Sequence, residues 1–172
     1  MPYEPLAVRL TALIMLAGMS WLTAPVAFAQ EPGGRPLDLA SFPRTSLEIT
    51  HHDSGHPARK YPFQVWVADT DERAQQGLMF VSDLPDSMGM VFPLEPPRVE
   101  SMWMKNTYIE LDMLFIGKDG RVLKIIERAA PMSLQTLSSD VPVAAVLELK
   151  GGEVAKLGLR PGDTVVWKKP GG

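Results

Sequence analysis

Cysteine is absent from all 172 residues. That excludes a disulfide, a thiolate nucleophile and a thiolate metal centre. Histidine is scarce: His51, His52 and His56 fall in one short stretch, and there is no other. A Ser-His-Asp or Cys-His machine therefore has no distant imidazole to draw on. There is no Gly-rich phosphate loop, no G-x-S-x-G elbow and no H-E-x-x-H pair. No long run of one charge sign occurs, and the net charge is -3. Phosphate binding needs clustered Lys and Arg, so no nucleic-acid partner is expected.

What is present fits a globular chain: 45% hydrophobic and 22% charged residues. The 14 glycines and 16 prolines predict many turns and short elements. The first 29 residues stand apart. Arg9 precedes the apolar stretch "LTALIMLAGMSWLTAPVAFA", which closes on the small-x-small pattern Ala27-Phe28-Ala29. This is the layout of a signal peptide and predicts export, periplasmic or secreted. The run is also long enough to span a membrane, so an uncleaved anchor is the alternative. No cysteine follows it, which excludes a lipid-anchored form. After cleavage no membrane span is expected.

Residues 30–45 read as a flexible linker, 46–168 as one β-rich domain and 169–172 as a tail. "SLEITHH" alternates, as a half-buried strand does, and "YPFQVWVA" alternates again after the turn-rich "DSGHPARK". "ADTDERAQQGLMF" is the best helix, with Asp69 or Thr70 as N-cap, acids in the first turn and Gly77 at the C-terminal cap. "LDMLFIG" is nearly all apolar and predicts a strand buried on both faces. "RVLKIIE", "VAAVLELKGG" and "TVVWKK" complete the strands, while the stretch after "MGMVF" reads as a proline-rich loop. Many short strands with one short helix predict a mostly β fold, a single compact β-sandwich or irregular barrel. The helix pattern is too sparse for alternating βαβ units.

Several signatures then occur in order: "ERAQQGLMF", "MGMVF", "SMWMKNT", "LDMLFI" with "DG" after it, "VLELKGG" and "GLRPGDTV". Together they resemble the domain of unknown function 192 family over Leu47 to Trp167, with "WMKNT" followed by "LD" the most specific part. The resemblance implies a compact, mostly β, sandwich-like fold with a small helix, and no settled activity. Two places depart from the family pattern. Val81 stands where a basic residue is usual after "GLMF", and Gly89-Met90-Val91-Phe92 replaces G-M-L-F. If the basic residue lines the family's site, this site is less positive.

The residues worth testing lie in and around "SMWMKNT". Read as an extended strand, it puts Met102, Met104 and Asn106 on one face and Trp103, Lys105 and Thr107 on the other. The first face suits a core. The second offers an aromatic body, a cation and a hydroxyl, which with Arg73 would wall a ligand groove. Its bland alternative is a solvated strand with the lysine stem over the indole. Asn106 on an apolar face needs a partner, either turn backbone or a ligand. Asp112 and Glu148 lie in apolar runs, where a carboxylate must find a partner or become neutral. Arg73, Lys105 or a backbone amide would serve, or the two acids would work as an acid-base pair.

The methionines at 79, 88, 90, 102, 104 and 113 admit two readings. Thioethers are soft ligands that suit Cu(I), and methionine is also an adaptable core filler that packs against aromatics. The core reading is preferred. His51, His52, Asp53 and His56 suggest Zn or Cu(II) by proximity, but adjacent strand residues point to opposite faces, so an exposed hairpin tip is expected. The leading expectation is a monomeric, non-catalytic exported module that binds a small ligand, a glycan or an envelope partner, with no cofactor and no metal. The alternatives are an enzyme using Asp112 and Glu148, and a methionine copper carrier.

Overall fold

The computed structural model describes residues 36–168. The signal segment expected at 1–29 and the tail at 169–172 lie outside the described residues. Among the described residues nine strands and two short α-helices follow in chain order. β1 (Arg44–His51) and β2 (Arg59–Val67) form a hairpin. α1 (Asp71–Gln76) then carries the chain to β3 (Met88–Arg98), which runs parallel to β2. β4 (Ser101–Met102), β5 (Leu111–Ile116), β6 (Val122–Ala129), β7 (Leu137–Ser138) and β8 (Val143–Lys150) follow. The chain ends through α2 (Glu153–Leu157) and β9 (Thr164–Trp167).

Seven strands make one mixed sheet in the order β6-β5-β8-β3-β2-β1-β9, and β4 pairs with β7 apart from it. The edges approach each other at a single bridge, Arg121 to Thr164. The sheet thus curls without closing, and the fold is mostly β without a closed barrel. The one parallel pair, β2 with β3, needs a crossover, and the sparse helix α1 supplies it.

Strand parity sorts the core. Phe63, Val65, Val91, Leu114, Ile116, Leu147 and Val165 share one face of the sheet and pack together. Trp66, Met90, Phe92, Met113, Phe115 and Val146 share the other, where Leu78, Leu84 and Met104 cover them. Period-2 alternation thus loads both faces. β5 is buried at every position, as its apolar run predicts.

Local chemistry explains the element ends. Thr70 caps α1, its Oγ1 accepting the backbone N–H of Arg73 at 3.3 Å, and Gly77 ends the helix at φ 52. Gly89 is required by contact: a Cβ there would lie 2.4 Å from the Glu148 carbonyl oxygen.

Three expectations differ from the fold. Ordered structure begins ahead of Ser46: residues Leu39–Ser41 form a 3-10 turn, Phe42 is buried and β1 starts at Arg44. The cause lies far along the chain, because Gln76 exchanges hydrogen bonds with the backbone of Leu37 at 2.5 and 2.9 Å. The proline-rich stretch after "MGMVF" remains strand to Arg98, with its register against β8 shifting between Pro93 and Arg98. Proline cannot donate to a ladder, and these prolines lie beyond the segment paired with β2. Finally, "SMWMKNT" is a strand only at Ser101–Met102. Residues 103–107 turn, with Asn106 at φ 55.

Candidate functional site

A cavity of about 580 Å³ opens on the Met90 and Met113 side of the sheet. Its walls come from the end of β2, the first turns of α1, β3 from Phe92 to Arg98, and residues 100–103. Trp103, Thr107 and Glu148 line it, so the structure brings three of the expected site residues together. The volume falls in the ordinary range for small-molecule sites.

Glu148 is the unusual member. It is 4% exposed, and its Oε2 has no hydrogen-bond partner. The register explains this. On β8 it stands opposite Met90 of β3 and Met113 of β5, both fully buried and neither a donor. Burial without compensation pushes its carboxyl up to about 8, so near neutral pH it is largely a neutral acid.

Asp112, its expected partner, is satisfied elsewhere. It stands opposite Leu149, one step from the Met113–Glu148 pair, and therefore faces the other side of the sheet. Its Oδ1 accepts the backbone N–H of Arg128 and its Oδ2 that of Val154, both at 2.8 Å. Asp112 ties β6 and the start of α2 to β5. The expected acid-base pair is corrected: the sheet separates the two carboxylates.

The remaining candidates disperse. Arg73 donates to Asp69 at 2.5 Å and to the Ser41 carbonyl at 3.1 Å, with its guanidinium 5.6 Å from the Phe42 ring centroid. It holds the N-terminal segment against α1 and does not line the cavity. Lys105 sits 5.6 Å from the Trp103 ring centroid, the lysine-over-indole arrangement, on a turn rather than a strand. Thr107 is buried, and its hydroxyl donates to the Lys105 carbonyl at 3.3 Å. The common face expected for Trp103, Lys105 and Thr107 does not exist, because the chain turns after Met102. Asn106 has its Nδ2 4.0 Å from the Met79 sulfur, while its carbonyl accepts the Phe80 N–H at 2.9 Å. It serves the turn.

Met90, Met104 and Met113 are fully buried in the core, with Met88 and Met102 packed against it. The histidine stretch needs a correction. His51 is 3% exposed, and its Nδ1 donates to Asp163 Oδ2 at 2.9 Å, while His56 stays in solvent. Burial pushes the Asp163 carboxyl upward, but hydrogen bonds from His51 and the backbone N–H groups of His52 and Arg160 outweigh it and hold it low. Among the described residues no group of three or more His, Asp or Glu side chains is placed to hold a metal ion. Nor is any described helix long and apolar enough to cross a membrane.

Sequence reasoning did not single out the charged rim of the cavity. Asp69, Asp71, Glu95, Arg98 and Glu100 line it. These residues sit at a helix start and in or just after a proline-rich strand, where charges ordinarily mean solvent exposure, and no local signal sets them apart.

Residues 53–167 match the family DUF192, described as "Uncharacterized ACR". Two crystal structures are similar over most of their length. One is a candidate transcription regulator from Sinorhizobium meliloti 1021, 37% identical, covering 74% of this chain and 95% of that one, with a TM-score of 0.70. The other is a protein of unknown function from Novosphingobium aromaticivorans DSM 12444, 35% identical, covering 81% of this chain and 94% of that one, with a TM-score of 0.69. No curated protein matches the chain.

Proposed function

This chain belongs to the DUF192 family, and from that premise we propose that its cavity beside Glu148 is the binding site of a small ligand. One observation carries the reading: a buried carboxyl with an unpartnered oxygen lines a cavity of about 580 Å³. Leaving a buried polar atom unpaired costs about 1–3 kcal/mol. A ligand group that pairs with it recovers that cost. Phe92, Leu94, Met102 and Trp103 supply apolar wall around it. The cavity is concave but half open, a shape and volume that suit a small molecule better than a flat protein surface.

A non-catalytic role is favoured because Asp112, the acid expected to work with Glu148, faces the other side of the sheet and is satisfied by backbone N–H groups there. Export is part of the same reading and rests on the 1–29 segment. Mass spectrometry of the processed chain tests it, and a mature N-terminus at Gln30 is expected. The monomeric state is tested by light scattering.

A fragment screen by NMR on the labelled protein tests the binding reading. Hits are expected to shift the amides of Ala68–Leu78, Phe92–Trp103 and Leu147–Leu149, and to weaken in Glu148→Gln. Hits confined to other surfaces would remove the proposal.

A further inference from the structure

The charges around the cavity define what it takes. Four acids, Asp69, Asp71, Glu95 and Glu100, line it against one cation, Arg98. Arg98 is itself engaged, its Nε donating to Glu100 at 2.9 Å. Asp69 is bridged to Arg73 at 2.5 Å, so part of the acid charge is balanced from outside the lining. The balance inside the lining remains negative.

Among the described residues no cation is paired with Glu148. Its neighbours across both strand pairings are Met90 and Met113. Lys150, two residues along β8 with the same parity, is drawn to Asp83 and Asp86 at 3.8 and 3.6 Å. Glu148 therefore lines an electronegative cavity with one carboxyl oxygen buried and uncommitted. An entering anion would meet that field with Arg98, already paired to Glu100, as the one cation of the lining. An organic cation would find an acidic rim, apolar wall for its body and a buried acid for its head. A bare metal ion is disfavoured, because no group of three His, Asp or Glu ligands converges among the described residues.

Resting on the binding site proposed above, we infer that the cavity selects a small organic cation, an ammonium or guanidinium, whose charged head pairs with the Glu148 carboxylate. Binding then carries a proton change. The empty cavity holds Glu148 as the neutral acid, the complex holds it as the carboxylate, and the proton leaves to solvent. Affinity rises with pH until Glu148 is ionised in the free protein, near pH 8. Below that, each unit of pH weakens binding about tenfold. The other charged groups facing the cavity are Asp69, Asp71, Glu95, Glu100 and Arg98, with no histidine among them.

The test uses the purified protein and three size-matched probes: butylammonium, butyramide and butyrate. Affinities are read from NMR shifts of the cavity amides at pH 6.5 and 8.5. Butylammonium is expected to bind tightest, and about tenfold or more tighter at the higher pH. In Glu148→Gln, which keeps the shape and removes the acid, that pH dependence is expected to vanish. Preference for butyrate, or butylammonium binding that ignores pH, overturns the inference. Butyramide binding as well as butylammonium leaves the cavity a ligand site but removes its charge selectivity. If no probe shifts the cavity amides, both the selectivity and the binding site fall.

Discussion

Asp112 and Glu148 lie on neighbouring strands one register step apart, and they point to opposite faces of the same sheet. Asp112 accepts two backbone N–H groups at 2.8 Å, whereas Glu148 keeps an oxygen unpartnered. Two acids that look alike in sequence therefore have opposite characters. One is a structural clamp and the other is an uncompensated acid beside a cavity.

Glu148 makes stability fall as pH rises. Its folded value of about 8 lies above its ordinary 4.5. Below pH 4.5 both folded and unfolded chains hold the proton and no penalty exists. Between 4.5 and 8 the unfolded chain releases it while the native chain does not, which costs about 1.4 kcal/mol per pH unit. Glu148→Gln is thus expected to match wild type near pH 4.5 and to exceed it by roughly 4 kcal/mol at pH 8. Urea midpoints across pH 5 to 8 measure this, and parallel curves for the two proteins would contradict it.

Asp112→Asn turns an acceptor into a donor that faces a backbone N–H. It is expected to cost about 1–3 kcal/mol of stability. Butylammonium affinity in the cavity should hold, since the side chain faces the far side of the sheet. A variant that stays stable yet loses binding would restore Asp112 to the site.

Asp163→Asn breaks the buried pair with His51, and a loss of about 3–5 kcal/mol is expected at pH 7. The folded Asp163 carboxyl sits below its ordinary 3.8. Its contribution is therefore present above pH 3.8 and is lost as pH falls through the lower folded value. Acid denaturation curves should converge at the acid end. A constant gap between them would show that the aspartate acts through packing rather than charge.

Met104 is fully buried in the core. Met104→Leu conserves volume and should cost less than about 1.5 kcal/mol. Cu(I) titration of wild type against the Met102→Leu/Met104→Leu double variant should give equal affinities. Weaker copper binding in the variant would return the methionines to a metal role.

Much of the fold was legible because it is written in short-range periods. Alternation marked β1 and β2, the uniform apolar run marked β5 as buried on both faces, and Thr70 and Gly77 bounded α1. The site was less legible. Strand parity failed for Trp103, Lys105 and Thr107, because the chain turns after Met102 and Asn106 adopts φ 55. The polar stretch around His51 looked like an exposed tip, but Asp163, across the fold, buries its first histidine.

The sequence alone determined the β-rich character, the positions of the caps and, through "WMKNT" with "LD", the family. Those follow from residue type and spacing along a few turns of chain. Tertiary structure alone decided which acid is satisfied. A carboxylate's state depends on what the neighbouring strands place beside it: backbone N–H groups from Arg128 and Val154 for Asp112, two methionines for Glu148. Those partners are set by register between distant segments, and no local pattern carries that information.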